Sequence, residues 1–227
     1  MMNKSIILLS GGLDSLVSLA ILKNELNVSL ALTFNYGQKS FIQEYNASKK
    51  IAQYYNINHR VINLDFLAEI SDSSLTSNKK IPNLDKTLLD NAEITKKSAS
   101  SVWIPNRNGL FINIAACFAD AQNYSHIIIG ANKEESANFK DNSVNFIEAV
   151  NLSIKNSTMN KIEVTAPLIN FDKKEIIKQG LLYNAPLELI YSCYDTKEKH
   201  CGKCESCLRL KRALELNNRE DIISKLF

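Results

Sequence analysis

The chain has 227 residues, 45% hydrophobic and 22% charged, which lies near the globular average and excludes wholesale disorder. Seven glycines and four prolines exclude a collagen-like or linker-dominated chain, and a net charge of +3 is too mild for a dedicated nucleic-acid binder. At ~150 residues per domain, the length fits one α/β domain with a small appendage, large enough to need no disulfide framework.

The start, MMNKSIILLSGG, carries an apolar run of only four residues, Ile6–Leu9. That is shorter than the h-region of a signal peptide, and no segment approaches the ~20 apolar residues of a membrane span. A soluble, cytoplasmic protein without a membrane partner is the expectation. In chain order, Ser5–Leu9 reads as a strand and Leu16–Leu26 as a helix. Val28–Phe34 is rich in strand formers, and Phe41–Tyr55 is helix-like with Ala47, Ile51 and Ala52 on one face. Arg60–Leu64 is a strand, Leu110–Ala121 an apolar helix, Ile127–Ile129 a buried strand and Val144–Ile154 a helix. Ile162–Ala166 closes the strand set before a helix over Lys173–Leu181. Strands alternating with helices predict a parallel, doubly wound sheet, with ligands bound at the carboxyl ends of its strands.

Two stretches break this rhythm. Residues 71–101 are rich in Ser, Lys and Asp, and read as an excursion or lid with one helix around Leu84–Ala92. The second break is the carboxyl-terminal segment. Residues 1–190 are therefore expected to form the α/β domain, and residues 191–227 a small cysteine-bearing helical region.

Ser10-Gly11-Gly12-Leu13-Asp14-Ser15 follows the first strand and opens the first helix. Gly11 and Gly12 let backbone amides approach a phosphate, and the helix points its free N–H groups at the same spot. Ser10 and Ser15 add hydroxyls, and Asp14 is placed to hold a Mg²⁺ bridging phosphate oxygens. No Gly-Lys-Ser/Thr ending makes it a Walker A loop, and no Gly-x-Gly-x-x-Gly makes it a dinucleotide loop. The bland alternative is a tight strand-to-helix turn with Asp or Ser as an N-cap.

Cys193, Cys201, Cys204 and Cys207 are spaced C-x7-C-x2-C-x2-C. Four thiolates with no open position suit one structural Zn²⁺ per chain. Free thiols or an iron–sulfur cluster are the alternatives, and zinc is favoured because nothing else suggests electron transfer. The nearby Lys197, Lys199, Lys203, Arg209, Lys211 and Arg212 offset thiolate charge, sit in water or meet an acidic partner. His200 adjoins Cys201 but is redundant beside four cysteines. Cys117, among Ala115, Ala116, Phe118 and Ala119, reads as a buried core thiol.

The hexapeptide resembles the SGGxDS signature of the PP-loop ATP pyrophosphatases, whose fold is of the adenine nucleotide α-hydrolase type. Together with FNYGQK (Phe34–Lys39), VWIPNRN (Val102–Asn108), IGAN (Ile129–Asn132), APL (Ala166–Leu168) and YSCYDTKEKHCGKCESCL (Tyr191–Leu208), it resembles the 7-cyano-7-deazaguanine synthase family, queuosine biosynthesis protein C. One stretch departs from the bacterial pattern S-G-Y-P-D-C-R-P-E-F: in Ala137–Phe146 only Asp141 and Phe146 match. Asn132-Lys133-Glu134-Glu135 looks more like the archaeal branch, pointing to archaeosine beside queuosine as an end product.

The resemblance implies ATP-dependent conversion of 7-carboxy-7-deazaguanine and ammonia to the 7-nitrile through adenylated intermediates. It assigns Ser10, Gly11, Gly12, Asp14 and Ser15 to pyrophosphate and Mg²⁺. Leu8, Leu9, Leu13, Leu16, Phe34 and Tyr36 join the nucleotide-contacting set. Asp14, Ser15, Lys39 and Arg107 are the candidate catalytic residues, with Arg107 suited to a bidentate carboxylate or phosphate contact. Lys39 in solvent and Arg107 in a structural pair are the alternatives. Trp103 either stacks on a base or anchors its loop. Asn132, Glu135 and Asp141 complete the candidate substrate set. Small molecules are the expected partners, with no stable nucleic acid, and a homodimer is compatible with the sequence. The rivals are a PP-loop tRNA-thiolating enzyme and a non-enzymatic zinc-bearing nucleotide-binding protein.

Overall fold

A computed structural model describes residues 4–227. Residues 1–3, with which the expected first domain begins, lie outside the described residues. In chain order, β1 (Lys4–Leu8), α1 (Leu13–Leu22), β2 (Val28–Asn35), α2 (Phe41–Tyr54) and β3 (Asn58–Asn63) form the first half. A short helix α3 (Phe66–Glu69) leads to the excursion, which ends in α4 (Ala92–Ser101). The second half holds α5 (Arg107–Gln122), β4 (Tyr124–Ile128), α6 (Lys133–Ser136), α7 (Val144–Ser157), β5 (Glu163–Thr165) and α8 (Lys173–Leu182). The chain closes with α9 (Glu205–Glu215) and α10 (Glu220–Leu226).

The strands form one parallel sheet in the order β3-β2-β1-β4-β5. Side chains alternate across it, as the strand period requires. Ile7 and Leu9 pack with α1, α2, α8, α9 and α10, while Ile6 and Leu8 pack with α5 and α7. Helices thus cover both faces, as the doubly wound expectation demands. The strand order reverses between β1 and β4, so a crevice opens there beyond the strand ends.

Several boundaries move for local reasons. The first helix runs over Leu13–Leu22, not Leu16–Leu26, and the chain then turns through Asn27 in the left-handed region at φ 47°. The helix expected around Leu84–Ala92 is a correction. A single 3-10 turn covers Lys86–Leu88, and α4 begins only after Asn91. The Asn91 side chain accepts the Glu93 and Ile94 N–H groups, both at 3.1 Å, which makes it the N-cap and fixes the later start. Cys117 is a second correction, since it is exposed. On α5 the buried positions Ile112, Ala115, Ala116 and Ala119 keep helical spacing, and residue 117 turns about 100° off that face.

The excursion is ordered against its neighbours. Leu75 is buried and accepts the Lys39 N–H at 2.9 Å, and Leu84 donates to the Lys203 carbonyl at 3.0 Å. Lys86 pairs with Glu215, and Arg212 with Asp90, so the excursion leans on α9. In turn, Leu210, Ala213 and Leu214 of α9 share the core of α1 and α8.

Leu214 is fully buried in that shared core. Leu214→Ala is expected to cost about 2–5 kcal/mol, with the melt remaining one cooperative transition. Calorimetry checks it: a separate low-temperature step for the tail would contradict a shared core.

Candidate active site

The crevice at the β1–β4 switch is a cleft lined by the glycine loop, the ends of β2 and β4, α5, α6, the start of α8 and the segment after Tyr191. Gly11 takes φ +83°, and a Cβ there would lie 2.6 Å from the Glu44 carbonyl. Gly130, just beyond β4, approaches so closely that a Cβ would meet the backbone of Asp14 and Ser15 at 2.8 Å. These two glycines let loop, α2 and β4 converge.

Within the loop, Ser10 Oγ accepts the Gly12 N–H at 3.3 Å and lies 3.1 Å from Ser15 Oγ. Ser15 Oγ donates to the Gly12 carbonyl at 3.1 Å. Leu8, Leu9, Ser10, Gly12, Leu13, Asp14, Ser15, Phe34 and Tyr36 all line the cleft, as does Arg107. Leu16 does not: it is buried in the core under α1. Phe34 and Phe111 stack at 4.0 Å and 7°, giving the cleft a flat aromatic wall beside Leu8, Leu32 and Ile129. A planar base would find apolar contact there.

Lys173 was not singled out in the sequence, yet it dominates the charged end of the cleft. Its side chain is 11% exposed, with Nζ 2.6 Å from Asp14 Oδ2 and 2.7 Å from Glu135 Oε1. Burial opposes the lysine charge, but Asp14 and Glu135 outweigh it and hold the ammonium above its ordinary range. The Asp14 carboxyl is pushed up to about 6, because burial disfavours its charge more than Lys173 favours it. Glu135 is also opposed by burial, but Lys173 and Asn132 hold it below the usual carboxylate range. Asp14 Oδ1 is buried without a hydrogen-bond partner among the described residues. One cation against two carboxylates, with one oxygen unclaimed, leaves a place that a further cation fits.

Arg107 opens α5 from Asn106, which sits in the left-handed region at φ 50°. Its Nη1 donates to the Tyr36 hydroxyl at 3.2 Å. Burial opposes its charge as well, but Tyr36 and Asp141 favour the guanidinium and keep it fully charged. Glu44, also on the lining, accepts from Ser40 Oγ at 2.6 Å and Gln38 Nε2 at 2.9 Å, and burial pushes its carboxyl up.

Other candidates lie elsewhere. Lys39 Nζ donates to the Lys79 carbonyl in the excursion and does not line the cleft. Asn132 is fully buried and caps α6, its Oδ1 accepting the Glu135 N–H at 3.0 Å. Trp103 stacks on Phe139 at 6.1 Å and 12°, and shares an adjoining hollow with Asp141. Phe139 lines the main cleft, so Trp103 reaches it only through that ring.

The four cysteine sulfurs lie within 4.8 Å of one another and could hold a metal ion. Cys201 and Cys207 sulfurs are 3.8 Å apart, the spacing that tetrahedral bonds of about 2.3 Å produce. Gly202, at φ +69°, shapes the turn between Cys201 and Cys204. Backbone N–H groups of Asp195 and Cys201 donate to Cys193 Sγ, and those of Lys203 and Cys204 to Cys201 Sγ, at 3.3–3.4 Å. His200 turns away, bonded to Ser192 N–H and the Leu226 carbonyl.

Lys173 carried a faint signal. Asp172 and Glu175 form a capping box, so a helix start at the sheet's carboxyl edge was readable, with Lys173 its first residue.

A sequence model of the family described as queuosine biosynthesis protein QueC matches residues 4–218. The chain is 46% identical over 221 residues to the 7-cyano-7-deazaguanine synthase of Methanobrevibacter smithii, covering 97% of each. It is 50% identical over 214 residues to the 7-cyano-7-deazaguanine synthase of Carboxydothermus hydrogenoformans, covering 93% of this chain and 98% of that one. Among solved structures, a 4-thiouridine synthetase in complex with RNA and bound ATP is similar at a TM-score of 0.50 and 16% identity. That likeness covers 98% of this chain and 52% of the other, and bears on the fold alone. Among the described residues, no helix is long and apolar enough to cross a membrane.

The raised Asp14 carboxyl gives a signed expectation. The folded protein holds this proton more tightly than the unfolded chain does, so the penalty for ionising Asp14 is absent below about pH 4. It grows as pH rises and is complete above about pH 6. Asp14→Asn is therefore expected to raise the melting temperature at pH 8 relative to wild type more than at pH 4, while removing most turnover. A variant that turns over normally would rule out a role for this carboxylate.

Proposed function

This chain belongs to the queuosine biosynthesis protein QueC family, and we propose that it converts 7-carboxy-7-deazaguanine and ammonia to 7-cyano-7-deazaguanine with ATP. The observation that carries the reading is one cleft in which an SGGxDS loop, a buried cation and a flat aromatic wall face one another. A carboxylate is a poor electrophile. Its oxygen attacks the α-phosphorus of ATP, releases pyrophosphate and leaves an acyl adenylate. Ammonia then displaces AMP to give the amide. The amide oxygen attacks the α-phosphorus of a second ATP and releases pyrophosphate, and loss of AMP with the two N–H protons yields the nitrile.

Ser10, Gly11, Gly12 and Ser15 cradle the pyrophosphate, helped by the amide dipoles at the start of α1. Mg²⁺ bound with ATP would neutralise phosphate charge, and the free Asp14 Oδ1 suits it. Lys173 stands at the same end and offers its ammonium to phosphate oxygens when Asp14 is otherwise engaged. Arg107 holds the substrate carboxylate or the developing adenylate, oriented by Tyr36. Phe34 and Phe111 exclude water and take one planar base. Lys39 we assign to anchoring the excursion and not to chemistry. Glu135 fixes Lys173, while Asn132 fixes Glu135. Asp141 offsets Arg107, and Trp103 supports Phe139.

The cysteine set fits Zn²⁺, closed by four sulfurs and so structural. Reduced thiols there accord with a cytoplasmic setting. We assign small molecules as the substrates, without tRNA, and queuosine or archaeosine as the end product.

Incubation with 7-carboxy-7-deazaguanine, ATP, Mg²⁺ and ammonium is expected to yield the nitrile by mass analysis, with pyrophosphate and AMP and no stimulation by tRNA. A requirement for tRNA in ATP consumption would replace this reading with a thiolating one. Elemental analysis is expected to give one zinc per chain, and Cys204→Ser to lower both zinc content and melting temperature. Iron with visible absorbance, or a Cys204→Ser protein with unchanged zinc and melting, would contradict the structural zinc.

A further inference from the structure

Ser192 lies one residue before Cys193 and is held from three sides. Its Oγ accepts the Leu13 N–H at 3.2 Å, at the start of α1. Its own N–H donates to His200 Nε2 at 3.0 Å, which leaves His200 Nδ1 to donate to the Leu226 carbonyl at 3.2 Å. His200 is buried between the rings of Tyr191 and Phe227, at 5.0 and 5.1 Å, so the acceptor does not swing away. The preceding Tyr191 N–H donates to the Gly11 carbonyl at 2.8 Å. The cysteine segment is thereby stitched to the glycine loop at Gly11 and Leu13.

The hydroxyl protons of the loop can be followed individually. Ser15 donates to Gly12, and Ser10 shares a contact with Ser15. Ser192 Oγ accepts but has no protein acceptor for its own proton among the described residues, and it lines the cleft. It sits 3.4 Å from where a Gly12 Cβ would be, so the absent side chain leaves this hydroxyl open to the loop. An oxygen that already accepts from a helix N–H is a better donor through its remaining O–H, because chained hydrogen bonds polarise one another.

We propose that Ser192 is a catalytic residue whose hydroxyl donates to a pyrophosphate oxygen of ATP, so that the cysteine segment supplies part of the phosphate site. This rests on the glycine loop being an ATP site. The hydroxyl acts where charge accumulates as the α–β bond breaks and pyrophosphate leaves, while its oxygen keeps the Leu13 amide.

The test is calorimetric titration of the zinc-loaded protein with inorganic pyrophosphate plus Mg²⁺, and separately with adenosine. Ser192→Ala is expected to weaken pyrophosphate about 10- to 100-fold, the worth of one hydrogen bond to a charged group, with adenosine affinity unchanged. Unchanged pyrophosphate affinity overturns the proposal, as does an equal loss for both ligands, which would mean a structural cap. Wild-type protein that binds neither ligand overturns the ATP-site reading as well. A crystal structure of the wild-type protein with pyrophosphate tests the contact without a variant: Ser192 Oγ beyond hydrogen-bond distance of every phosphate oxygen would exclude it.

Discussion

A buried ammonium placed between two carboxylates organises this molecule. Lys173 is the first residue of α8, Asp14 belongs to α1, and Glu135 to α6. Removing Lys173 would strand two buried carboxylates, a loss on the order of 3–5 kcal/mol. The three elements must therefore arrive in register for any of the charges to be tolerated. Their arrival places the glycine loop, the end of β4 and the ring pair of Phe34 and Phe111 around one cleft. Gly130 permits this, since any side chain there would strike the backbone of Asp14.

A second ionic layer sits behind the first. Glu134, next to Glu135, faces α9 and pairs with Arg209 and Arg212. Arg209 also holds Glu205, and Arg212 reaches Asp90 in the excursion. The one-turn helix α6 is too short to be stable alone. It is fixed because one glutamate is drawn towards the cleft and its neighbour towards the tail. Orientation of the Glu135 carboxylate thus depends on contacts with α9 as much as on the sheet.

The sheet, its two helical layers and the glycine loop were legible because each rests on a local signal. Ile6–Leu9 alternates between faces, and Ala47, Ile51 and Ala52 fall on one side of a helix. The four cysteines were legible from spacing alone. What the sequence hid depends on distant partners. Lys173 is one lysine among many until the fold brings Asp14 and Glu135 to it. Cys117 misled because a run of apolar neighbours hides the helical phase, which alone decides which position turns outward. In the excursion, one asparagine displaced the helix: Asn91 caps it and so sets its start after a single 3-10 turn. Trp103 shows the limit of composition, since its stacking partner Phe139 is supplied by a distant part of the chain.

The path from the cysteines to the glycine loop joins four sulfurs that could hold a metal ion to the cleft. Between Ile190 and Cys204 the described chain forms neither helix nor strand, so ladder hydrogen bonds do not hold it. Its amides turn inward to the sulfurs of Cys193 and Cys201 instead. Four sulfurs so close together suit a metal ion, and its coordination would supply energy that fixes the turn. The fixed turn presents the Tyr191 amide to Gly11 and the Ser192 oxygen to Leu13. Loss of such an ion would therefore be felt at the glycine loop before it reached the sheet, because β1 is held between two parallel strands and the loop is not.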